Sequence, residues 1–314
     1  MPSFEDKLVK AVKRKREAEG LSIRSLSAEV GISFSTLARI ERREGQPDNN
    51  SKIRLLEWLG QDAEDAGLQF DNVAFVHFRA GKNIRSSTVR TLLKTAESLR
   101  QSLKSHGGSQ NQVDGEDYGP SGNVFRSKEE LEGIAEKFRY DLGLKKGEPL
   151  DSLRVKVEGV EVIPARKTNH LDEQTIKRLG GNSASEWSAM SVPLDSENEN
   201  WAVLMNDWHK VERQRVTVME EYWHILLGHK LTKIARVAEA YGRTYDKAEE
   251  HDAFYLAAAV LLPKPAIVEA VGKNRTSKQV AKVFGTSPDL VEYRIKRLGL
   301  WREHTGKLVR LSPN

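Results

Sequence analysis

Residues 216–227, VTVMEEYWHILL, are apolar or aromatic except for Thr217, Glu220, Glu221 and His224. A helix this apolar is buried, and charged groups on a buried helix are costly unless paired, hydrogen-bonded or bound to a metal. The 3.6-residue period puts Glu220 and His224 one turn apart on a shared face, with Glu221 about 100° round from Glu220. Ligand-bearing side chains at i and i+4 suit a divalent ion. A carboxylate at i+1 then stands where it can take a proton from metal-bound water, the arrangement of the HExxH motif with Glu in place of its first histidine. The same groups also admit a metal-free arrangement, in which Glu220 and His224 form an i,i+4 ion pair and Glu221 bonds to backbone or arginine.

A second set of side chains has the spacing for reading DNA. In residues 21–48, LSIRSLSAEVGISFSTLARIERREGQPD, the apolar Leu26, Val30, Ile32, Leu37 and Ile40 lock two short helices across a turn at Gly31-Ile32-Ser33. Ser33, Phe34, Ser35, Thr36 and Arg39 are left facing outward. In a helix-turn-helix the first helix braces across the backbone, while the N-terminal side chains of the second reach base edges in the major groove. A four-helix protein-interaction module is the alternative. The run Lys13-Arg14-Lys15-Arg16 is either a basic contact or a solvated helix face.

Two regions of different class are needed to position these groups. Phe4, Leu8 and Val12 recur at helical spacing, Gly20 stops that helix, and Ser22 caps the next. A fourth helix carrying Ile53, Leu56 and Leu59 follows the break at Gly45-Gln46-Pro47-Asp48. Residues 71–79 predict a short strand and 86–103 one amphipathic helix. Residues 104–123, KSHGGSQNQVDGEDYGPSGN, have linker composition. Ser127 and Glu130 form a capping box that opens a helix ended by Gly143. Strands are predicted at 153–165, 188–194 and 201–205, with helices from about Arg215 onward.

The chain's 314 residues suit two or three domains. The mean hydropathy of −0.57, with no long apolar run, excludes a membrane protein, and the charged start is no secretory leader. Without cysteine there are no disulfides, no thiol catalysis and no all-cysteine zinc sites, so any metal must be held by His and carboxylates. This fits a reducing cytoplasm. The net charge of +5 divides into +3 over residues 1–60, −5 over 61–263 and +7 over 264–314. Basic ends around an acidic centre suit contact with a polyanion.

Residues 4–60 resemble the lambda-repressor-like, XRE-type family of DNA-binding domains, through Ala28, Gly31 and Arg39-Ile-Glu41 within the pattern above. The resemblance implies groove contacts by Ser33, Phe34, Ser35 and Arg39, beside Thr36, with Arg24, Arg42 and Arg43 nearer phosphates. Ile23 stands where the family usually has a DNA-contacting Gln. Residues 127–300 resemble the ImmA/IrrE family of zinc-peptidase-like domains. The matching blocks are Arg213-Gln-Arg215-Val-Thr217, the Glu220 to His224 string, Ile225-Leu-Leu-Gly-His229, Glu250-His-Asp252-Ala253, residues 256–263 and the strand ending WAVLMND. Residues 279–300 are similar to the family's C-terminal helical extension.

That second resemblance implies a zinc-binding zincin-like domain. His224 would be a ligand, Glu220 would stand in the place of the family's other histidine, Glu250 or else Asp252 would supply the third ligand, and Glu221 would be the base. Trp223 replaces a usual glycine beside the place of a substrate. A Glu/His/Glu set leaves an ion with more negative charge and less Lewis acidity than His/His/Glu, so an inactive or attenuated peptidase is expected. His251 turns off the ligand face, and His209 and His229 read as surface or packing residues. Residues 276–300 also have helix-turn-helix spacing, with packing on the core expected ahead of a second DNA contact.

The expected fold is mainly α with an α+β second domain. Residues 1–70 form the helix-turn-helix bundle, 71–103 a strand and helical arm suited to dimerisation, 104–126 a linker, 127–270 the metallopeptidase-like domain and 271–314 the helical extension. The function implied is a sequence-specific transcriptional regulator, a repressor, with a degenerate metallopeptidase-like sensing domain and Zn2+ as its cofactor. Its expected partners are operator DNA, a second copy in a homodimer, and a protein substrate or antirepressor. It would be cytoplasmic, on the nucleoid when DNA-bound. The alternatives are an active endopeptidase that cuts a repressor, an antitoxin or itself, and an interaction module without metal.

Overall fold

The computed structural model describes residues 3–66, 68, 71–80, 84–103, 125–195, 199–229, 232–237, 240–243 and 247–302. The chain divides into two compact units: residues 1–76, 85–93 and 231–245 form one, and residues 77–84, 94–230 and 246–314 the other.

The first unit begins with α1 (Phe4–Ala18), α2 (Ile23–Val30), α3 (Phe34–Glu41), α4 (Asn49–Leu59) and α5 (Gln61–Asp65). Local signals set these boundaries. Ser3 and Asp6 close a capping box on α1, and Ser22 and Ser33 accept the orphan amides of Ser25 and Thr36 at the starts of α2 and α3. Gly31 ends α2 in the left-handed region at φ 66°, and an added Cβ would sit 3.0 Å from Arg54 Nη1. Leu8, Val12, Leu26, Val30, Ile32, Leu37, Leu55, Leu56 and Leu59 form one buried cluster.

Half of the basic run 13–16 is structural. Lys15 Nζ donates to the carbonyls of Trp58 and Leu59 at 2.9 and 3.1 Å, capping the end of α4. Arg16 grips Glu41 with two hydrogen bonds of 2.6 and 2.8 Å, and this partner holds the guanidinium pKa above its ordinary value. Residues 71–76 of β1 (Asp71–Ala80) pair antiparallel with β5 (Thr232–Val237), which pairs with β6 (Ala240–Arg243). This hairpin interrupts the stretch where the sequence predicts helices. The first part of α6 (Ser86–Leu103) belongs to this unit.

The second unit contains α7 (Lys128–Asp141), β2 (Val160–Pro164), α8 (Glu173–Leu179), β3 (Trp187–Pro193), β4 (Trp201–Met205) and α9 (Val211–Leu226). These are followed by α10 (Lys247–Leu261), α11 (Lys264–Gly272), α12 (Ser277–Phe284) and α13 (Pro288–Arg297). The run at 153–165 is a strand only at its end. Residues 152–154 make a 3-10 turn with Leu153 exposed, and extended pairing starts after the left-handed Gly159. β2 runs parallel to β4, β4 pairs antiparallel with β3, and β3 pairs antiparallel with residues 77–80 of β1. β3 and β4 are buried along their whole length, with α9 lying across them. The expected linker at 104–126 lies outside the described residues except for Phe125 and Arg126.

The C-terminal helices pack on this unit. Arg294 of α13 is fully buried and makes hydrogen bonds of 2.7 and 3.1 Å to Glu132 of α7. Leu290, Val291 and Ile295 bury beside it against Leu261, Leu262 and Ile267. The apolar side of α13 is therefore spent in the core, as packing on the core requires, and Asp289, Glu292, Lys296 and Arg297 are left exposed.

Candidate functional site

The middle of α9 is buried on every side. Val218, Met219, Tyr222 and Trp223 enter the core with Leu131, Ala135, Val203, Met205, Leu256 and Val260. Tyr222 donates to the Val155 carbonyl at 2.9 Å, and burial raises its hydroxyl pKa. Trp223 lies within the core with its ring centroid 5.0 Å from that of Phe138, so it does not line a substrate space.

Glu220 and His224, both buried, share one face of α9 as the period requires. The first turn of α10 brings the half-buried Glu250 to the same place, and one ligand atom from each of the three lies within 4.8 Å of the others. Two carboxylates and an imidazole brought this close offer three ligand atoms to one ion. Their oxygen and nitrogen donors fit a divalent transition ion.

Asp252 is not part of this group. Its carboxylate, also buried, takes Arg126 Nη1 at 3.3 Å on one oxygen and His251 Nδ1 at 3.0 Å on the other. The two-residue step from Glu250 turns it about 200° round α10. Glu221, 1% exposed, accepts a 2.5 Å hydrogen bond from Ser191 Oγ of β3. His229, read from sequence as a surface or packing residue, is buried and sets its Nδ1 3.0 Å from that of His224. The signal for it was the glycine before it, which ends α9 and turns the chain back. A cavity of 440 Å³ opens beside the start of α9 and the turn between α12 and α13, away from Glu220, His224 and Glu250.

The DNA-reading candidates lie on α2, α3 and the turn after them. Ser33, Phe34, Ser35, Thr36 and Arg39 are all exposed, while Leu37 and Ile40 on the same helix are buried. Phe34, a large apolar ring, is 48% exposed and lies under the Arg24 guanidinium at 5.6 Å. Ser33 Oγ is bonded to Thr36 Oγ1 at 2.7 Å, which orders the start of the helix. Arg39 lies along Gly45, where a Cβ would sit 3.3 Å from its Nη2. Arg42 and Arg43 are exposed at the helix end, and Arg43 adopts φ 61° as the chain turns.

Comparison with known families gives each half its class. Residues 12–57 match the helix-turn-helix family model, and residues 183–296 match the model of the IrrE N-terminal-like domain. The chain carries an XRE-type helix-turn-helix domain, a module that binds double-stranded DNA, together with an IrrE/ImmA-like, metallopeptidase-like domain. No curated protein and no solved structure matches the chain.

Proposed function

We propose that the protein is a transcriptional repressor whose metallopeptidase-like domain serves as a metal-holding sensor rather than an efficient protease. The observation that carries the regulatory half is the outward face of α3. Its capped N-terminal turn offers Ser33, Phe34, Ser35 and Thr36, and its next turn Arg39, while its apolar side is spent in the core. Arg24, Arg42 and Arg43 flank that face and suit phosphate contacts, which position a protein without reading sequence. One such module covers a short half-site, so the working form is a homodimer on a two-fold operator. Its place is the cytoplasm, on the nucleoid when bound.

In the second half, Glu220, His224 and Glu250 would hold the metal, with zinc the expected ion. A divalent ion there would supply Lewis acidity, weakened by two carboxylate ligands. Two features of the chain support sensing over turnover. Glu221 accepts a hydrogen bond from Ser191 on one carboxylate oxygen, which restrains its side chain and lowers its basicity. β3, which carries Ser191, has hydrogen-bonded neighbours on both sides, residues 77–80 of β1 and β4. An extended peptide adds to a free strand edge, and this one is occupied.

The test begins with selection of bound duplexes from a random library, followed by titration of the winning sequence with wild type and Arg39→Ala. If Arg39 reads a base, the substitution costs about 1–3 kcal/mol, or about 5- to 150-fold in affinity, and relaxes sequence preference at one position. An unchanged binding curve removes the contact assignment, and failure to select any sequence removes the regulator. Self-cleavage or casein cleavage by wild type that disappears in Glu221→Gln would replace the sensor with an active peptidase.

A further inference from the structure

The end of α9 is set by Gly228. Leu227 is the last residue of helical geometry, and Gly228 turns left-handed at φ 60°. The His229 amide then donates to the His224 carbonyl at 3.0 Å and the Gly228 amide to the Ile225 carbonyl at 3.0 Å. These two bonds are the Schellman pairing, which folds the residue after the left-handed glycine back over the residue five positions earlier. In most helices the resulting side-chain contact is apolar. Here it joins two imidazoles, with ring centroids 5.0 Å apart at 73°.

The Nδ1 atoms are 3.0 Å apart, a hydrogen-bond distance, so one nitrogen carries the proton and the other accepts it. With His224 as donor, its proton is on Nδ1 and its Nε2 keeps a lone pair for a ligand. With His229 as donor, a neutral His224 is protonated on Nε2 and cannot bind a metal through that atom. A ligating histidine ordinarily gives its second ring N–H to an outer acceptor that fixes tautomer and ring angle. We propose that His229 is this acceptor: a positioning residue that presents His224 Nε2 to a divalent metal. His224 is the one nitrogen donor in the group with Glu220 and Glu250, so its orientation weighs heavily on affinity. The inference rests on reading those three residues as a metal centre.

The test uses the full chain, stripped with chelator and titrated with Zn2+ against a chromophoric competitor. Co2+ absorption reports ligand geometry, and circular dichroism reports the fold. Wild type is expected to bind one ion and His224→Ala to lose it. His229→Phe, which keeps a ring and removes the acceptor, should bind about 10- to 100-fold more weakly with an altered Co2+ band. His229→Asn, whose amide oxygen can accept, should recover part of the loss. Wild-type affinity and an unchanged Co2+ band in His229→Phe overturn the positioning role while leaving the metal centre standing. Equal loss in the Phe and Asn variants reduces His229 to packing and likewise overturns it. No metal on wild type overturns both.

Discussion

Glu132→Leu tests how the C-terminal extension is held. Arg294 of α13 is 0% exposed; its guanidinium bonds to both Glu132 oxygens and to the Leu262 carbonyl, and lies 5.3 Å from the Tyr255 ring centroid. Tyr255 donates to the same carboxylate at 2.6 Å. Removing Glu132 leaves a cation in the core with carbonyl and ring contacts only, and breaking a buried pair from one side costs about 3–5 kcal/mol. For a domain of this size each kcal/mol moves the melting midpoint by about 2–4 °C, so a drop of about 6–20 °C is expected. Glu132→Leu with Arg294→Met removes both charges together and should recover much of that loss. Urea unfolding followed by tryptophan fluorescence measures all three proteins. A single variant within about 1 kcal/mol of wild type, or a double variant as unstable as the single, refutes the reasoning. The pair also sets acid sensitivity. Burial raises the Glu132 pKa, but Arg294's hydrogen bonds and charge outweigh it and leave the carboxyl below its ordinary value. A folded value below the unfolded one means the contribution is complete above the ordinary carboxylate range and is lost as pH falls through the folded value. Stability measured by urea unfolding should therefore fall more in wild type than in the double variant as pH drops below the ordinary carboxylate range.

Arg16→Ala removes the bidentate partner of Glu41, whose side chain is 6% exposed, and is expected to destabilise the helix-turn-helix domain by about 3 kcal/mol. Glu41→Gln, which keeps the shape and loses the charge, should also destabilise it, and thermal melts of an operator complex will show whether these losses reach DNA binding. A melt of Arg16→Ala that overlays wild type contradicts the role given to the pair. At Trp223 the indole N–H is buried and finds no acceptor among the described residues. Trp223→Phe should therefore cost about 1 kcal/mol or less, whereas Trp223→Gly should empty the space against Phe138 and cost about 3–5 kcal/mol. Similar losses in the two variants would mean that ring volume is not what Trp223 supplies.

Signals carried by neighbouring residues were legible in the sequence. Gly20 gave the end of α1, Ser22 and the turn at Gly31-Ile32-Ser33 the boundaries of α2 and α3, Ser127 the start of α7, where it accepts the Glu130 amide without the reciprocal bond of a capping box, and the apolar stripe of α6 its span as 86–103. Glu220 and His224 were found because a helix period alone brings them together. What depends on distant partners was not legible. The hairpin of β5 and β6 takes its outer hydrogen bonds from β1, more than 150 residues earlier in the chain. Lys15 and Arg16 look like a solvated face until Trp58, Leu59 and Glu41 arrive from other helices. Which acid of Glu250 and Asp252 faces α9 depends on the rotation of α10, and sequence leaves that open. His229 lies between these cases, because its contact with His224 is local but is written in the glycine before it.

The metallopeptidase-like half carries costs that a purely structural helix would avoid. Glu220, Glu221 and His224 sit in nine consecutive buried residues of α9, where leucines would pack without any desolvation penalty. Glu221 is stabilised there by Ser191, and His224 is held by His229 through the turn at Gly228. Glu220 of α9 and Glu250 of α10 each bring a ligand atom to within 4.8 Å of the other and of His224, a donor set that suits a cation shared by the two helices. A centre of this kind couples the docking of α10 on α9 to occupancy by a cation, because an ion that binds the folded arrangement alone stabilises it by mass action. This would be the physical basis of the proposed sensor. Metal level would set the stability of the α9 and α10 pair, and a weakly acidic ion with a restrained Glu221 would do so without cutting the chain that carries it.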